Sequence, residues 1–405
     1  MNAPVKVLSY VQAAEAIGAH AAGRPRPGTE KVGLLDAQGR VLAAGVVADR
    51  DQPPFDRSTR DGFACRAEDA GGALRVMGMV RAGEVWQGDP LGAGEAVEIM
   101  TGAPVPAGAD CVVMVEHVVE CGDGIELQAG RMARRGENIV PRGAEAAKGG
   151  VILAAGVRMT ATQIAAAAAC GYAEVEVFQR PRVAVLATGD ELVQVADAPL
   201  PHQIRNSNSY SLAAMVAAAG AEAVVLPVAR DERGSLETSI REALECDLVL
   251  MSGGVSMGKY DLVEEVLTGL GAEFFFTGVE IQPGRPAVFG RAMGKYFFGL
   301  PGNPVSTMVT FLLFAEPMIR GTAGESETSP RFAQATLAEP VKVKTGLRRF
   351  LPAVLESAVE GSRVKLVAWQ GSGDLAATAR ANCFAVVPPE REALAAGEVV
   401  SVLLA

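Results

Sequence analysis

The segment Val183-Ala-Val-Leu-Ala-Thr-Gly-Asp-Glu191 decides the fold of the central part of the chain. Five apolar residues lead into a polar turn, and the following segment, Ser207 to Ala219, has the residue spacing of a helix. Strands that are apolar throughout and alternate with helices are typical of a parallel sheet with helices on both faces. We therefore predict a three-layer, doubly wound α/β domain over residues 181–328. Its predicted strands are 183–187, 223–226, 248–251, 274–276, 287–289 and 296–298, and its predicted helices are 207–219, 234–246, 261–270 and one from about residue 304.

The regions outside this domain differ from it in composition and in the spacing of their apolar residues. Residues 9–22 and 159–170 are alanine-rich with helical spacing, whereas residues 29–150 hold short Val/Ile runs between Gly and Pro residues. We predict a discontinuous helical domain (1–28 and 151–180) that carries an inserted β-rich domain (29–150). Short strands return beyond residue 330 and predict a C-terminal β domain over residues 329–405.

Composition excludes several classes of protein. The net charge of −10 argues against a protein that coats nucleic acid. Six dispersed cysteines without a C-x-x-C pair indicate reduced thiols, and three histidines are too few for a histidine-rich metal site. The chain has no secretion signal at Met1 and no apolar run of the ~18 residues that a membrane span needs. We expect a cytoplasmic protein that binds neither nucleic acid nor membrane.

Two loops of the α/β domain have the composition of phosphate-binding turns. In an open parallel sheet, ligands bind beyond the carboxyl ends of the strands. The loop Ser252-Gly253-Gly254 offers small residues and backbone N–H groups, and Gly302-Asn303-Pro304 combines a flexible turn, an N-cap side chain and Pro at the first helical position. Each loop alone could be an ordinary strand-to-helix turn. Both should open on one edge of the sheet, which favours a phosphorylated ligand.

Acidic residues are predicted at the same edge. Asp190 and Glu191 follow the first strand, Asp231 follows the second, and Asp261 opens the helix after the third. A single acid at a helix start usually caps the helix or interacts with its dipole. Four acids beside phosphate loops are better explained as oxygen ligands of Mg²⁺, because Mg²⁺ prefers carboxylates, water and phosphate.

Other segments are ambiguous when taken alone. Arg285, in Ile281-Gln-Pro-Gly-Arg-Pro286, could contact an oxyanion or lie exposed in a hairpin turn. Asp61-Gly62 and Thr101-Gly102 are typical of turns. The string Gly253 to Lys259 nearly matches a P-loop but has Tyr260 where Ser or Thr is required, and Gly371-Ser-Gly373 lacks the third glycine of a dinucleotide fingerprint. Gly254-Val-Ser-Met-Gly258 fits a hydrolase motif, but no histidine follows His202 to complete a triad.

A set of motifs in fixed order resembles the molybdopterin molybdenumtransferase family, the bacterial MoeA proteins whose eukaryotic relatives include the gephyrin E domain. The resemblance covers essentially the whole chain. The motifs are Arg60-Asp-Gly-Phe-Ala, Ile99-Met-Thr-Gly-Ala-Pro-Val-Pro, Arg135-Gly-Glu-Asn-Ile, Thr188-Gly-Asp-Glu-Leu, Ser252-Gly-Gly-Val-Ser, Gln282-Pro-Gly-Arg-Pro, Gly299-Leu-Pro-Gly-Asn-Pro-Val-Ser and Ala381-Asn-Cys-Phe.

The resemblance implies four domains, with a C-terminal β barrel, and a homodimer whose active site lies between the α/β domain of one subunit and the β-rich domain of the other. The implied reaction converts adenylylated molybdopterin and molybdate into molybdenum cofactor and AMP with Mg²⁺. Transient contacts with other proteins of cofactor synthesis and delivery are implied as well.

The resemblance also assigns roles to residues of this sequence. Catalytic acids would be Asp61, Asp190, Glu191, Asp231 and Asp261, of which all but Asp61 would also be Mg²⁺ ligands. Substrate-binding residues would be Thr101, Gly102, Ser252, Gly253, Gly254, Arg285, Gly302, Asn303, Ser306 and Arg349, with Arg285, Ser306 and Arg349 forming the pocket for molybdate.

The sequence departs from the family pattern at two places, and two alternative functions remain open. Many relatives have lysines where this chain has Gln282 and Arg285, and the serine cluster of some relatives is Ala376-Ala-Thr-Ala here. The alternatives are a molybdopterin-binding scaffold without catalysis, and a paralogue that uses tungstate, which is nearly isosteric with molybdate. Retention of the acids favours an enzyme, and the length of the match disfavours a short adenylating enzyme of the same fold.

Overall fold

The computed structural model describes residues 6–254 and 262–405. Within these residues, three six-stranded sheets mark the inserted β-rich domain, the α/β domain and a C-terminal barrel. This multidomain architecture confirms the predicted fold class. None of the helices in the described part of the chain is long and apolar enough to cross a membrane.

The N-terminal segment begins with a capped helix. Ser9 Oγ accepts a hydrogen bond from the Gln12 N–H at 3.3 Å, and Gln12 Oε1 accepts one from the Ser9 N–H at 3.0 Å, which is a capping box. Ala13, Ile17 and Ala21 of this helix are buried in the core of the α/β domain. The elements are β1 (Val7–Leu8), α1 (Tyr10–Ala22), β2 (Thr29–Gly33) and β3 (Val46–Val47).

The inserted domain is a mixed β sheet. Its strands are β4 (Arg57–Ser58), β5 (Gly62–Cys65), β6 (Leu74–Val80), β7 (Glu95–Ile99), β8 (Cys111–Met114), β9 (Val118–Cys121), β10 (Gly124–Leu127) and β11 (Ile139–Val140). The large sheet has the order β8-β5-β7-β6-β10-β9, and β4 pairs with β11. Gly62 lies where strands approach closely, because a Cβ there would stand 1.9 Å from the Val113 carbonyl oxygen.

The chain then returns to the strands that precede the insertion. The elements are β12 (Val151–Leu153), α2 (Ala161–Ala169) and β13 (Glu174–Phe178). Strand β13 pairs with β2 and β12 pairs with β3, so both halves share one apolar core. Strands β2 and β3, which lie within the range predicted for the inserted domain (29–150), therefore pair with strands beyond residue 150.

The α/β domain contains the elements that position the cleft described below. They are β14 (Arg182–Ala187), β15 (Leu192–Val193), β16 (Ile204–Arg205), α3 (Asn208–Ala218), β17 (Glu222–Val225), α4 (Arg233–Ala243), β18 (Leu248–Ser252), α5 (Leu262–Gly269), β19 (Glu273–Phe276), β20 (Gly278–Val279), β21 (Ile281–Gln282), β22 (Val288–Ala292), β23 (Lys295–Leu300), α6 (Pro304–Thr310), a π-helical turn (Phe311–Ala315) and α7 (Glu316–Thr322).

Its sheet has the order β17-β14-β18-β23-β22-β19. Strands β17, β14, β18 and β23 are parallel, and one apolar core lies on each face of the sheet. Strand β22 runs antiparallel to both its neighbours, contrary to the predicted all-parallel sheet. The reason is the short connection between β22 and β23, which is a turn rather than a crossover helix. Strand β20 pairs with β1 at the N-terminus.

The C-terminal domain is a closed barrel. Its elements are β24 (Phe332–Leu337), β25 (Val341–Lys342), β26 (Arg348–Ala358), β27 (Gly361–Leu366), α8 (Leu375–Thr378), β28 (Cys383–Val387), β29 (Ala393–Leu394) and β30 (Val399–Leu404). The order β26-β27-β24-β30-β28 closes because β28 also pairs with β26. Strand β21 of the α/β domain adds to β26 in parallel, so the two domains share a sheet edge.

A buried ion cluster joins the discontinuous domain to the end of α7. Glu325 accepts hydrogen bonds from Arg158 Nη2 at 2.7 Å and from Arg320 Nε at 3.0 Å. Arg158 also donates to the backbone carbonyls of Gly39 and Ala219. Burial alone would raise the pKa of Glu325, but the hydrogen bonds from Arg320 and Arg158 outweigh burial and hold the pKa below its usual value.

We expect Glu325→Gln to lower the free energy of unfolding by about 3 kcal/mol, because two largely buried guanidinium groups lose their counter-charge. The folded-state pKa lies below the unfolded one, so this contribution is present near neutral pH and should fade as the pH falls below about 4. Urea unfolding of both proteins between pH 3 and 7 measures the difference. Glu237→Gln, which breaks an exposed pair with Arg241 at 2.8 Å, is the matched control and should cost about 0.5 kcal/mol. Equal losses in the two variants would contradict the structural role of Glu325.

Candidate active site

A cleft of ≈ 570 Å³ opens beyond the carboxyl ends of the central parallel strands. Its lining comes from the ends of β14, β18 and β23, from β15 and β16, from the start of α3 and from the C-terminal domain. The lining residues are Ala187, Thr188, Glu191, Leu192, Ile204, Arg205, Asn206, Ser207, Asn208, Ser252, Gly253, Pro286, Pro301, Gly302, Asn303, Pro304, Gly373 and Leu375. The position agrees with the general rule for ligand sites in open α/β sheets.

The two glycine loops predicted from the sequence meet in this cleft. Gly253 and Gly254 have positive φ angles of 89° and 64°. A Cβ at Gly253 would stand 2.5 Å from the Thr188 carbonyl oxygen, so a larger residue would displace backbone. A Cβ at Gly302 would lie 3.6 Å from the Gly253 Cα. The loop of β18 and the loop of β23 are therefore packed side by side, with little more than glycine between them.

An asparagine that the sequence reading missed joins these loops. Asn208 Nδ2 donates to Ser252 Oγ at 2.8 Å, to the Gly302 carbonyl at 2.8 Å and towards Thr307 Oγ1 at 3.3 Å. A carbonyl can only accept, so the Gly302 contact fixes which way the amide faces. The sequence signal was weak, because an amide in the first turn of a helix is commonly explained as a capping residue.

Two buried polar atoms beside the loops are unpaired among the described residues. They are Asn208 Oδ1 and Thr188 Oγ1, and Thr188 is only 2% exposed. A buried polar atom without a hydrogen-bond partner is unfavourable, and such atoms often occur where a ligand completes the bonding. The floor of the cleft thus contains an acceptor and a hydroxyl that other described groups do not satisfy.

The start of α6 is bound to the C-terminal domain. Asn303 has the N-cap position, but its side chain does not cap the helix as predicted; its Nδ2 donates to Ser372 Oγ at 2.9 Å. The Val305 N–H donates to the Ser372 carbonyl at 3.0 Å, and Pro304 has no N–H. The loop Gly371-Ser-Gly373 therefore forms one wall of the cleft, although its sequence does not match a dinucleotide fingerprint.

Three of the four acids predicted at this edge are found there. The Asp231 N–H donates to Asp190 Oδ1 at 3.3 Å, and Glu191 lines the cleft. Burial, with the negative charges of Asp190 and Glu191, raises the pKa of Asp231. Among the described residues, no group of three or more metal-ligating side chains is close enough to hold a metal ion. Asp261 belongs to the segment 255–261, which lies outside the described residues.

The three residues predicted to bind molybdate lie on adjoining segments but do not line the cleft. Gln282 and Arg349 are opposite each other in the β21–β26 pair, and their side chains form a hydrogen bond. The Arg349 guanidinium also donates to the Lys344 carbonyl from Nη2 at 2.8 Å. Arg285 is exposed in the turn after β21, whereas Ser306 is buried in α6. Arg349 lines a second cleft of ≈ 620 Å³ with Gln282, Lys342, Lys344 and Trp369.

Asp61 and Thr101 lie together in the inserted domain. Asp61 Oδ1 accepts hydrogen bonds from the Thr101 N–H at 2.6 Å and the Thr101 hydroxyl at 2.8 Å. These bonds hold the pKa of Asp61 below its ordinary value. Gly102 follows with φ of 88°, and its N–H donates to the Ser58 carbonyl at 2.8 Å. The Asp61 carboxylate is exposed and held in one orientation. Neither Asp61 nor Thr101 is among the residues that line the cleft of the same chain.

Known families match the chain along most of its length. Residues 8–171 match the MoeA N-terminal region (domain I and II), residues 184–321 the probable molybdopterin binding domain, and residues 334–405 the MoeA C-terminal region (domain IV). The molybdopterin molybdenumtransferase of Staphylococcus aureus strain Mu50 is 36% identical over 92% of this chain and 90% of its own length. That of Staphylococcus epidermidis strain ATCC 12228 is 34% identical with the same coverage.

Solved structures agree with these matches. A molybdopterin biosynthesis MoeA protein from Pyrococcus horikoshii superimposes with a TM-score of 0.72 at 34% identity, over 98% of this chain and 99% of the other. A second structure, of the MoeA protein from Pyrococcus horikoshii OT3, gives a TM-score of 0.79 at 27% identity, over 99% and 100% of the two chains.

We expect Thr188→Val to raise the free energy of unfolding by about 1 kcal/mol, because a methyl group of similar volume replaces a buried hydroxyl that lacks a partner. Urea unfolding of the ligand-free protein measures the change. Thr322→Val is the matched control: its hydroxyl donates to the Met318 carbonyl at 2.7 Å in an equally buried position, so that variant should lose about 1 kcal/mol. A Thr188→Val protein destabilised as much as the control would show that the Thr188 hydroxyl is already satisfied.

Proposed function

Because the chain belongs to the MoeA family of molybdopterin molybdenumtransferases, we propose that it transfers molybdenum from molybdate to an adenylylated molybdopterin and releases AMP. The general assignment is a transferase of molybdenum cofactor biosynthesis. The single observation that carries the finer proposal is the cleft itself, where two glycine loops and a group of acids share one edge of the sheet.

The loops would hold the pterin and its phosphate. Ser252, Gly253 and Gly254 bring backbone close to the ligand, and Gly302 and Asn303 form the facing wall. A pterin carries ring N–H and amino donors, and the unpaired Asn208 Oδ1 and Thr188 Oγ1 could bond with such a ring. The apolar lining from Leu192, Ile204 and Leu375 suits a flat heteroaromatic ring.

Asp190, Glu191 and Asp231 would hold Mg²⁺ together with Asp261. The described acids alone do not form a group close enough to hold a metal ion, so oxygens of the bound phosphate would complete the site. Oxygen ligands and a local excess of negative charge are what Mg²⁺ favours. Burial and then the charges of Asp190 and Glu191 raise the pKa of Asp231, and the closeness of these like charges supports a cation site. When bound, Mg²⁺ would offset the negative charge of a phosphate. The carboxylates of the chain would orient the phosphoanhydride and accept the proton of an attacking oxygen.

Arg285, Ser306 and Arg349 would bind molybdate near the junction of the α/β domain and the barrel. Strand β21 brings Gln282 against Arg349, and Lys342 and Lys344 line the same second cleft. A tetrahedral dianion requires several fixed donors, and arginine provides a planar set of them. Gln282 keeps a donor where many relatives have lysine but contributes no charge.

The chain would act as a homodimer in which Asp61 and Thr101 of one subunit complete the cleft of the other. Their position in the inserted domain supports this arrangement. The Thr101 hydrogen bonds keep Asp61 ionised and oriented on an exposed surface, which suits a residue that meets a ligand bound elsewhere.

A direct assay tests the reaction. The protein is incubated with adenylylated molybdopterin, molybdate and Mg²⁺, and AMP and active cofactor are measured. We expect both products, and a loss of AMP release when Mg²⁺ is removed with a chelator. Tungstate in place of molybdate distinguishes the two oxyanions. Binding of molybdopterin without AMP release would identify a non-catalytic scaffold instead.

Asp190→Asn should lower kcat by about a hundredfold, because it removes one charge from the group that would stabilise the transition state. Its binding of molybdopterin should change little. Asp197→Asn, on an exposed turn of the same domain, is the control and should retain wild-type turnover. Wild-type kcat in Asp190→Asn would remove this residue from the mechanism.

Complementation between variants tests the shared site. Asp61→Asn and Asp190→Asn should each be inactive, but a mixture that exchanges subunits should recover about a quarter of the wild-type activity, because half of the dimers then contain one intact site. The mixture is compared with each variant alone, and size-exclusion chromatography establishes the oligomeric state. A monomeric active enzyme, or exchanged dimers without recovered activity, would refute completion of the site by the partner subunit.

A further inference from the structure

Several hydrogen-bond donors in and beside the cleft are committed to the protein itself. Asn208 Nδ2 is used by Ser252 and Gly302, and Asn303 Nδ2 by Ser372. The Gly253 N–H donates to the Leu300 carbonyl at 3.3 Å. The Val305 N–H, the first that α6 could offer to an anion, donates to Ser372. A phosphate in this cleft therefore cannot use these particular donors.

Arg205 is the only cationic residue among the described residues that line the cleft. It ends the short strand β16, where it stands opposite Val193 of β15 in the parallel pair. The side chain is exposed, and none of the described residues forms an ion pair or a side-chain hydrogen bond with it. Its neighbours Ile204 and Asn206 line the cleft as well, so the backbone holds this segment at the rim.

Three other arginines of the protein are bonded to neighbouring residues. Arg349 is bonded to the Lys344 carbonyl and to Gln282, and Arg158 and Arg320 are paired with Glu325. A guanidinium that is committed to the protein has few donors left for a ligand. No described residue uses the five N–H donors of Arg205, and its planar group matches two oxygens of a phosphate at once.

We infer that Arg205 is a substrate-binding residue whose guanidinium binds a phosphate ester of the ligand at the rim of the cleft. The inference rests on the proposed function, because it assigns the phosphorylated substrate to this cleft. That substrate has two phosphate sources, the adenylate and the terminal phosphate of the pterin, and the chemistry at Arg205 is the same for both. Arg205 positions the ester and takes no part in bond making or breaking.

Calorimetric titration of the full-length protein in the presence of Mg²⁺ separates the two sources. AMP, adenosine and molybdopterin are the probes, and Arg205→Gln is the variant. We expect the Kd of the phosphate-bearing probe to rise about ten- to a hundredfold, as for loss of a charge-assisted hydrogen bond, while the Kd of adenosine stays unchanged. Weakening for AMP assigns Arg205 to the adenylate, and weakening for molybdopterin alone assigns it to the terminal phosphate. In either case a higher salt concentration should reduce the difference in Kd between the wild-type protein and Arg205→Gln.

A control and a second readout keep the result decisive. Arg363→Gln, an exposed arginine in the barrel strand β27, should leave every Kd unchanged. In the transfer assay Arg205→Gln should raise KM for the adenylylated substrate more than it lowers kcat.

The failure of this inference and the failure of the proposed function can be told apart. Unchanged Kd values for both AMP and molybdopterin in Arg205→Gln would overturn the inference even if the wild-type protein transfers molybdenum. The inference is also overturned if neither AMP nor molybdopterin binds to the wild-type protein. If Arg205→Gln weakens binding of a phosphate-bearing probe but the wild-type protein releases no AMP, the transfer reaction is refuted and the phosphate site is retained.

Discussion

The burial of strands β14, β18 and β23 on both faces of the sheet is the constraint on which the rest of the molecule depends. Val183, Val249 and Phe298 are almost completely buried, between helices on each side. A strand buried in this way cannot slip by one residue without exposing its apolar side chains, so the register is fixed. Since the register is fixed, the three polar turns at the strand ends must emerge side by side. The cleft is therefore a consequence of packing, because the fixed register of the strands brings the residues of the three turns together.

Contacts between domains then determine what surrounds the cleft. Strand β21 belongs to the chain segment of the α/β domain but pairs with barrel strand β26. Ser372 of the barrel bonds both the Asn303 side chain and the Val305 N–H at the start of α6. The Glu325 cluster ties the discontinuous domain to the end of α7. The barrel and the discontinuous domain thus each meet the α/β domain through groups that would be left unpaired if the domains separated, which favours a single arrangement.

Local patterns in the sequence were sufficient for the elements and their turns, and insufficient for contacts between distant segments. Apolar runs and glycine loops predicted the strands, the position of the cleft and the placement of Asp190 and Asp231, because these depend on neighbouring residues. Ser372 bonds Asn303 from 69 positions away, and no local pattern marks that pair. Asn208 was missed because its role comes from Gly302 and Ser252, which only the fold brings near. The pairing of β2 and β3 with strands beyond residue 150 is not marked either, because short β segments do not reveal their partners.

The charge distribution at the cleft has a thermodynamic consequence for ligand binding. Burial, together with the negative charges of Asp190 and Glu191, already raises the pKa of Asp231. A phosphate placed a few ångströms from the exposed Asp190 and Glu191 would meet a repulsion of about 1 kcal/mol per charge pair, because solvent screens exposed charges. A cation that binds between the acids and the phosphate converts repulsion into attraction on both sides, so cation and phosphorylated ligand should each increase the affinity for the other by the same factor. With such coupling, the cleft would bind either component alone more weakly than it binds the two together.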